Sequence, residues 1–170
     1  MKDKGRETAP FVLHIEYNNG DETLIEARAV IDASGTWSKP NPIGANGLPA
    51  IGEKRHSDRI VYGIPDVAGN AKSRYANKRV MVVGSGHSAI NVLLELANLK
   101  QDYPETQALW VLRGTNLQKI YGGLDDDALE ARGALGKRIQ AAVNAGTIEI
   151  VAPFRISKVE QVDDSIHVTG

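Results

Sequence analysis

Short apolar runs separated by turn-forming residues characterise the first third of the chain. The runs Phe11–Tyr17 and Glu22–Ser34 contain Val, Ile and Phe, and Asn18-Asn19-Gly20-Asp21 between them has the composition of a tight turn. This pattern predicts a β-hairpin whose second strand ends in the nearly continuous apolar run Ala29–Gly35. From Thr36 to about Gly52, prolines and glycines without periodicity predict a connecting segment.

A strand, a helix and a second strand are predicted in the middle of the chain. Arg79–Val83 and Ala108–Leu112 are short apolar runs of the kind found in buried strands. Between them, Ser88–Leu99 carries apolar residues around most of a helical surface, which is typical of a helix packed on a sheet. The order predicts a parallel strand pair joined by a right-handed crossover.

A longer helix is predicted to follow. Leu124–Asn144 has a mostly helical pattern, with the acidic run Asp125–Asp127 where the helix dipole favours negative charge. Glycine lowers helix propensity, so we expect a break near Gly133 or Gly136. Gly146 is expected to end the helix.

A third strand and a second hairpin complete the prediction. Thr147–Val151 is a strand pattern, and the runs Arg155–Val162 and Ser165–Thr169 flank a turn at Asp163-Asp164. Strands that alternate with helices assign the chain to the α/β class.

Composition narrows the functional classes. The chain has 170 residues, of which 42% are hydrophobic and 24% charged, and a formal charge of -1, which fits a globular protein and gives no indication of nucleic-acid binding. Its cysteine count is zero, which excludes disulfides, thiolate metal sites and a redox CxxC pair within these residues. Because no apolar run approaches the roughly 18 residues of a membrane span, we expect a cytoplasmic protein with no membrane partner.

The strongest chemical signal is the segment Gly84-Ser85-Gly86-His87-Ser88-Ala89, which has the pattern G-x-G-x-x-A between a predicted strand and a predicted helix. In this pattern Gly84 permits the tight turn, Gly86 keeps the backbone open to a pyrophosphate, and Ala89 lets helix and strand approach. The N–H groups at the helix start would then face the anion. The segment predicts a dinucleotide-binding turn.

Two side chains in this turn have alternative interpretations. Ser88 either donates its hydroxyl to a phosphate or caps the helix. His87 is more often a solvent-facing spacer than a catalytic group in such a position, so the catalytic residues stay unassigned.

Arg113 stands at the end of the second predicted strand, where the ribose of the adenosine would lie. An NAD site usually has Asp or Glu there, whereas Arg can bind a 2′-phosphate. Arg113 therefore favours NADP, with a solvated surface arginine as the alternative.

No metal site is predicted. The four histidines, at positions 14, 56, 87 and 167, are scattered, without the spacing of a metal-binding motif.

The combination of Ala33-Ser34-Gly35-Thr36, a proline-rich connection and the Gly84–Ala89 turn resembles the two-dinucleotide-binding-domain flavoproteins, and within them the flavin-containing monooxygenases. Two of the four defined positions of their fingerprint F-x-G-x-x-x-H-x-x-x-(Y/W) match here, at Gly52 and His56, whereas Ala50 and Ile60 do not. His56 is equally compatible with a linker histidine.

This resemblance implies a Rossmann-like three-layer nucleotide-binding domain with flanking β-hairpins from an incomplete FAD domain. The expected division is a partial FAD-domain hairpin and crossing segment over 1–50, an NAD(P)-binding domain over 51–154 and a returning hairpin over 155–170. The FAD fingerprint expected near the N-terminus of this superfamily is absent here, since the first glycine-rich motif is the one at Gly84, so we expect the FAD site to be incomplete in this sequence.

The resemblance also implies the function. The chain is expected to be the NADPH-binding portion of an FAD-dependent oxidoreductase, a flavin monooxygenase. This portion would deliver hydride from NADPH to FAD, and we expect it to be inactive as an isolated fragment. NADP would be bound by Gly84, Ser85, Gly86, His87, Ser88, Ala89 and Arg113, with Ser34 and Gly35 at the cofactor junction. Its partners would be a small-molecule substrate and the remainder of the FAD domain. The alternative is a non-catalytic NAD(P)-sensing regulatory module.

Overall fold

The computed structural model describes residues 8–31, 40–123 and 129–170, and the chain divides into two compact units, Met1–Ser38 and Lys39–Gly170. The strands of the described residues are β1 (Phe11–Glu16), β2 (Glu22–Ala27), β3 (Arg79–Val83), β4 (Gln107–Val111), β5 (Ile148–Val151), β6 (Lys158–Val162) and β7 (Ser165–Thr169). The helices are α1 (Lys72–Tyr75), α2 (His87–Asp102), α3 (Leu117–Tyr121) and α4 (Glu130–Asn144).

The described part of the first unit contains the predicted hairpin, with β1 and β2 antiparallel and Phe11 opposite Ala27. The second strand is shorter than predicted. The expected strand Ala29–Gly35 is wrong over Ala29–Ile31, and its remaining residues, Ser34 and Gly35 among them, lie outside the described residues. In the β1–β2 register a continuation of β2 would have to pair with Pro10 and the described residues just before it, which form no strand, so the ladder ends at Phe11 and Ala27.

A parallel three-stranded sheet in the order β3-β4-β5 organises the second unit. In the register, Val83 lies opposite Val111, and Val111 lies opposite Val151. The predicted strand, helix and strand from Arg79 onward, with a parallel pairing, are therefore confirmed. All three strands end at the same edge of the sheet, which brings the segments that follow β3 and β4 close together.

The two faces of this sheet bury different partners because side chains alternate along each strand. On one face, Val82, Trp110 and Ile148 belong to a core cluster with residues of α2 and α4. On the other face, Leu109 and Val111 pack with Ala50 of the preceding segment and with residues at and near β6, including Ile156 and Val159. A hairpin and an irregular segment thus cover the second face.

Helix α4 runs through Gly133 and Gly136 without interruption, so the predicted break is wrong. Both glycines are buried, and their lack of side chains suits a helix that packs closely on its neighbours. This packing outweighs their low helix propensity.

The predicted end of the helix at Gly146 is confirmed. Gly146 has a φ of 69°, and its N–H donates to the Val143 carbonyl at 3.0 Å. The Thr147 N–H donates to the Ala142 carbonyl, also at 3.0 Å. The acidic run Asp125–Asp127 lies outside the described residues.

A buried carboxylate organises the segment that covers the second face. Glu53 is 3% exposed and accepts hydrogen bonds from the backbone N–H of Ile43 at 3.0 Å, from that of Ala50 at 2.6 Å, and from the Tyr62 hydroxyl. Burial, together with the hydrogen bond and the negative charge of Glu53, raises the pKa of Tyr62 to about 12. The segment has little regular structure, as predicted, and Glu53 supplies the hydrogen bonds that a sheet or helix would otherwise provide.

Within residues 8–31, 40–123 and 129–170, no helix combines the length and apolar character needed to cross a membrane.

Replacing Glu53 with alanine should reduce the free energy of unfolding by about 2–4 kcal/mol, because two backbone N–H groups lose their acceptor while remaining shielded from water. Urea unfolding monitored by circular dichroism measures the change. Glu105→Ala, which removes an exposed carboxylate, is the matched control and should change stability little. Equal stabilities of the two variants would contradict the role assigned to Glu53.

Candidate functional site

The predicted glycine turn occupies the carboxyl edge of the parallel sheet. Gly84 follows β3 directly, and Gly86 is the residue that precedes α2. The turn is held on its inner side by β4: the Gly84 N–H donates to the Val111 carbonyl at 3.2 Å, and the Gly84 carbonyl accepts from the Trp110 indole nitrogen at 2.7 Å. The turn is therefore fixed by the sheet beneath it.

The two glycines of the turn serve different needs. Gly84 has a φ of +123°, a conformation that side chains rarely adopt, so the backbone itself requires glycine there. Gly86 has a φ of -84° and a ψ of 169°, which other residues adopt readily. A Cβ placed on Gly86 would have no atom within 4 Å beyond its chain neighbours. Glycine is favoured at a helix N-cap, but the fold as described does not require the absence of a side chain at Gly86, and a ligand that approaches the backbone would require it.

Consecutive backbone donors around Gly86 lack hydrogen-bond acceptors. The N–H groups from Ser85 to Ala89 have no acceptor among the described residues, and the first hydrogen bond of the helix is made by Ile90 to the Gly86 carbonyl at 3.2 Å. No side chain caps this helix start. The N-terminus of a 16-residue helix with unsatisfied donors and a positive dipole end favours an anion.

Helix α2 begins one residue earlier than predicted, at His87, which changes the interpretation of Ser88. The residue before the helix is Gly86, so Ser88 lies in the first turn, and its predicted capping role is wrong. Its exposed hydroxyl remains available for the alternative role, a contact to phosphate. His87 is also exposed, and its backbone carbonyl accepts from the Asn91 side chain at 3.0 Å. Ala89, partly buried, lies 4.0 Å from a Cβ built on Gly84, consistent with a close approach of helix and strand.

Arg113 lies two residues beyond the end of β4, at the same sheet edge as the glycine turn. Its side chain is exposed, and one guanidinium nitrogen donates to the Ala45 carbonyl at 3.3 Å. Since a guanidinium has five N–H donors, this single contact leaves capacity for a phosphate. The register thus brings Arg113 and the Gly84–Ala89 turn together, whereas Ser34 and Gly35 lie outside the described residues.

Sequence reasoning overlooked several residues that shape this site. Trp110 lies in a predicted apolar strand, and nothing in the neighbouring sequence indicates that its indole supports the turn. Gly52, which matches the monooxygenase fingerprint, has a φ of +85°, and a Cβ there would lie 2.0 Å from the Val159 carbonyl oxygen. The lack of a side chain therefore allows the segment around Gly52 to pack closely on β6. No sequence pattern predicts the burial of Glu53, since an isolated Glu in a glycine-rich and proline-rich segment is expected to be exposed.

Within the described residues, no three His, Asp or Glu side chains are grouped in a way that could bind a metal ion.

Comparison with known proteins identifies the family. Residues 1–126 match the family described as L-lysine 6-monooxygenase/L-ornithine 5-monooxygenase. The chain belongs to this family. The family consists of flavin-dependent N-hydroxylating monooxygenases, so the resemblance to flavin monooxygenases predicted from the sequence is confirmed.

A curated relative gives a second comparison. The chain is 36% identical over 87 residues to the ketocytochalasin monooxygenase of Aspergillus clavatus, a match that covers 49% of this chain and 13% of the relative. The chain therefore corresponds to a small part of that protein's length.

Replacing Gly86 with valine should weaken nucleotide binding about tenfold or more, because a branched side chain would occupy the space in front of the unsatisfied donors. The melting temperature should change little, since the backbone angles and the empty surroundings of Gly86 accept a side chain. Calorimetric titration with NADPH and a thermal melt measure the two effects.

Gly84→Ala provides the contrast, because its positive φ predicts a loss of folding stability. Unchanged NADPH affinity in Gly86→Val would remove the turn from the binding site.

Proposed function

We propose that this member of the lysine/ornithine monooxygenase family contributes the NADPH-binding part of an FAD-dependent monooxygenase. The observation that carries the proposal is the pairing of a glycine without a structural requirement, Gly86, with an uncapped helix start whose N–H groups lack acceptors among the described residues. Both features are explained at once by a bound pyrophosphate.

The topology supports a Rossmann-like assignment. The strand that leads into the glycine turn is β3, and the sheet continues outward through β4 to β5, all parallel. This order corresponds to one half of a doubly wound sheet, in which dinucleotides bind at the carboxyl edge. The turn, the helix start and Arg113 all lie at that edge.

Each residue then has a stated role. Gly84 shapes the turn, and Gly86 leaves room for the pyrophosphate. The N–H groups of Ser85, His87 and Ala89, with that of Ser88 and its hydroxyl, would donate hydrogen bonds to phosphate oxygens.

Arg113 would pair with the 2′-phosphate through charge-assisted hydrogen bonds.

NADPH, when bound, supplies the hydride that reduces FAD. The contribution of this chain is to hold the nucleotide in a fixed orientation, which is the usual share of the protein in cofactor chemistry. The family description names lysine and ornithine, and the Aspergillus protein is named for ketocytochalasin. These names differ in substrate, so the proposal concerns the shared cofactor step and leaves the small-molecule substrate open.

Arg113→Ala should remove most of the preference for NADPH over NADH while leaving NADH affinity nearly unchanged, because only NADPH carries the 2′-phosphate. Charge-assisted hydrogen bonds of about 1.5–3 kcal/mol correspond to a roughly tenfold to hundredfold preference in the wild type. Calorimetric titration of both nucleotides into both proteins gives the four affinities.

Arg79→Ala is the matched control, since Arg79 is an exposed arginine at the opposite end of β3. It should leave the preference intact. A variant at Arg113 that retained full discrimination would assign the 2′-phosphate to another cation, with Lys119 and Arg132 next to be tested.

A further inference from the structure

The indole of Trp110 lies beneath the glycine turn. Trp110 is on the central strand β4 and is 0% exposed, and its nitrogen donates to the Gly84 carbonyl at 2.7 Å. We propose that Trp110 is a positioning residue for the nucleotide: by fixing the Gly84 carbonyl, it aims the N–H of Ser85 at the phosphate. This inference rests on the proposed function, since it names a further determinant of the same site.

The geometry of the peptide group carries the first step. A trans peptide is planar, with its C=O and its N–H pointing in opposite directions. The carbonyl of Gly84 and the N–H of Ser85 belong to one peptide group. Because the carbonyl points toward Trp110 in the core, the N–H points away from it. Ser85 is exposed, and its N–H has no acceptor among the described residues.

The second step concerns the freedom of this peptide group. Gly84 at a φ of +123° is in a region open to glycine, and glycine allows neighbouring peptide groups to rotate more easily than other residues do. The Gly84 N–H is fixed by the Val111 carbonyl, but that bond leaves the peptide group on the other side of the Cα free to turn. The indole bond removes this freedom before a ligand arrives, which lowers the ordering cost of binding.

The third step explains why a tryptophan suits the position. A buried indole N–H needs an acceptor, so rotation of the Gly84 carbonyl would leave a polar group unpaired inside the core. Trp110 also packs with Val82 and Leu93 in the cluster between sheet and helices, which holds the ring in place. The core and the turn are thereby coupled through one hydrogen bond.

Trp110→Phe tests the proposal because phenylalanine keeps an aromatic ring but cannot donate. NADPH affinity should fall about fivefold, the effect of losing one hydrogen bond that orients a donor. In two-dimensional amide NMR spectra, NADPH should shift the Ser85 resonance strongly in the wild type and weakly in the variant. Ile148→Val is the control for core disruption, since Ile148 belongs to the same cluster and lies at the start of β5, away from the turn. It should lower stability and leave both readouts unchanged.

A measurement on the wild type alone supplies a second test should the phenylalanine variant fold poorly. The indole N–H of Trp110 should exchange slowly with solvent, and NADPH should slow this exchange further by holding the turn closed on the indole. Exchange unaffected by saturating NADPH would overturn the coupling.

The outcomes separate the two proposals. A wild-type chain that does not bind NADPH would overturn the proposed function and, with it, the role of Trp110. A wild type that binds NADPH, together with a Trp110→Phe variant of equal affinity and equal Ser85 shift, would overturn the positioning role alone and leave the function standing.

Discussion

The attachment of Gly84 to β4 is the constraint on which the candidate site depends. Both backbone polar groups of this glycine are bound by consecutive residues of β4, the N–H by the Val111 carbonyl and the carbonyl by the Trp110 indole. The register that places Val83 opposite Val111 makes this possible, and the same register brings Arg113 to the edge of the sheet where the turn lies. The direction of the turn, the start of α2 and the placement of the arginine therefore follow from one pairing of parallel strands.

The second face of the sheet shows how an irregular segment can cover a core. Glu53 accepts hydrogen bonds from two backbone N–H groups and from the Tyr62 hydroxyl. Gly52 allows the backbone to approach Val159 closely. Hydrogen bonds also join Ile51 to the β6 region, through the Ser157 carbonyl at 2.9 Å and the Val159 N–H at 2.7 Å. The segment before the glycine turn and the hairpin after the sheet thus form one layer. Because Ala45 belongs to this layer and accepts a hydrogen bond from Arg113, the layer also contacts the candidate cofactor site.

Family membership and local geometry point to the same kind of chemistry. The lysine/ornithine monooxygenase family comprises flavin-dependent enzymes, and the match extends across the glycine turn and Arg113. The structure adds three distinctions that the family match does not contain. The backbone conformation requires glycine at position 84, whereas only a ligand would require it at position 86. The N–H groups from Ser85 to Ala89 are the donors without acceptors among the described residues. These distinctions concern the proposed step of cofactor binding.

Patterns with strong local causes were predictable from the sequence. The apolar runs of β3, β4 and β5, the helix between the first two and the stop at Gly146 each follow from side-chain periodicity or from one residue with special backbone freedom. The glycine turn was recognisable because its glycines and alanine occur in a fixed order between a strand and a helix. Its assignment as a binding site, like that of Arg113 to the 2′-phosphate, remains a prediction.

Tertiary structure decided the features that depend on partners distant in sequence. The predicted strand after Ala27 lacks a partner because the described residues just before Phe11 form no strand, and α4 continues through Gly133 and Gly136 because buried packing outweighs propensity. No local pattern indicates that Glu53 would be buried, since its three donors come from three separate places in the chain. The apolar residues around Trp110 likewise predict a buried core side chain. Only the strand pairing shows that its indole nitrogen donates to the Gly84 carbonyl. The sequence by itself determined the three parallel strands, the helix between the first two and the position of the glycine turn, since these depend on neighbouring residues. The pairing of distant segments decided which residues support that site, because a hydrogen bond between residues 26 positions apart exists only in the folded chain.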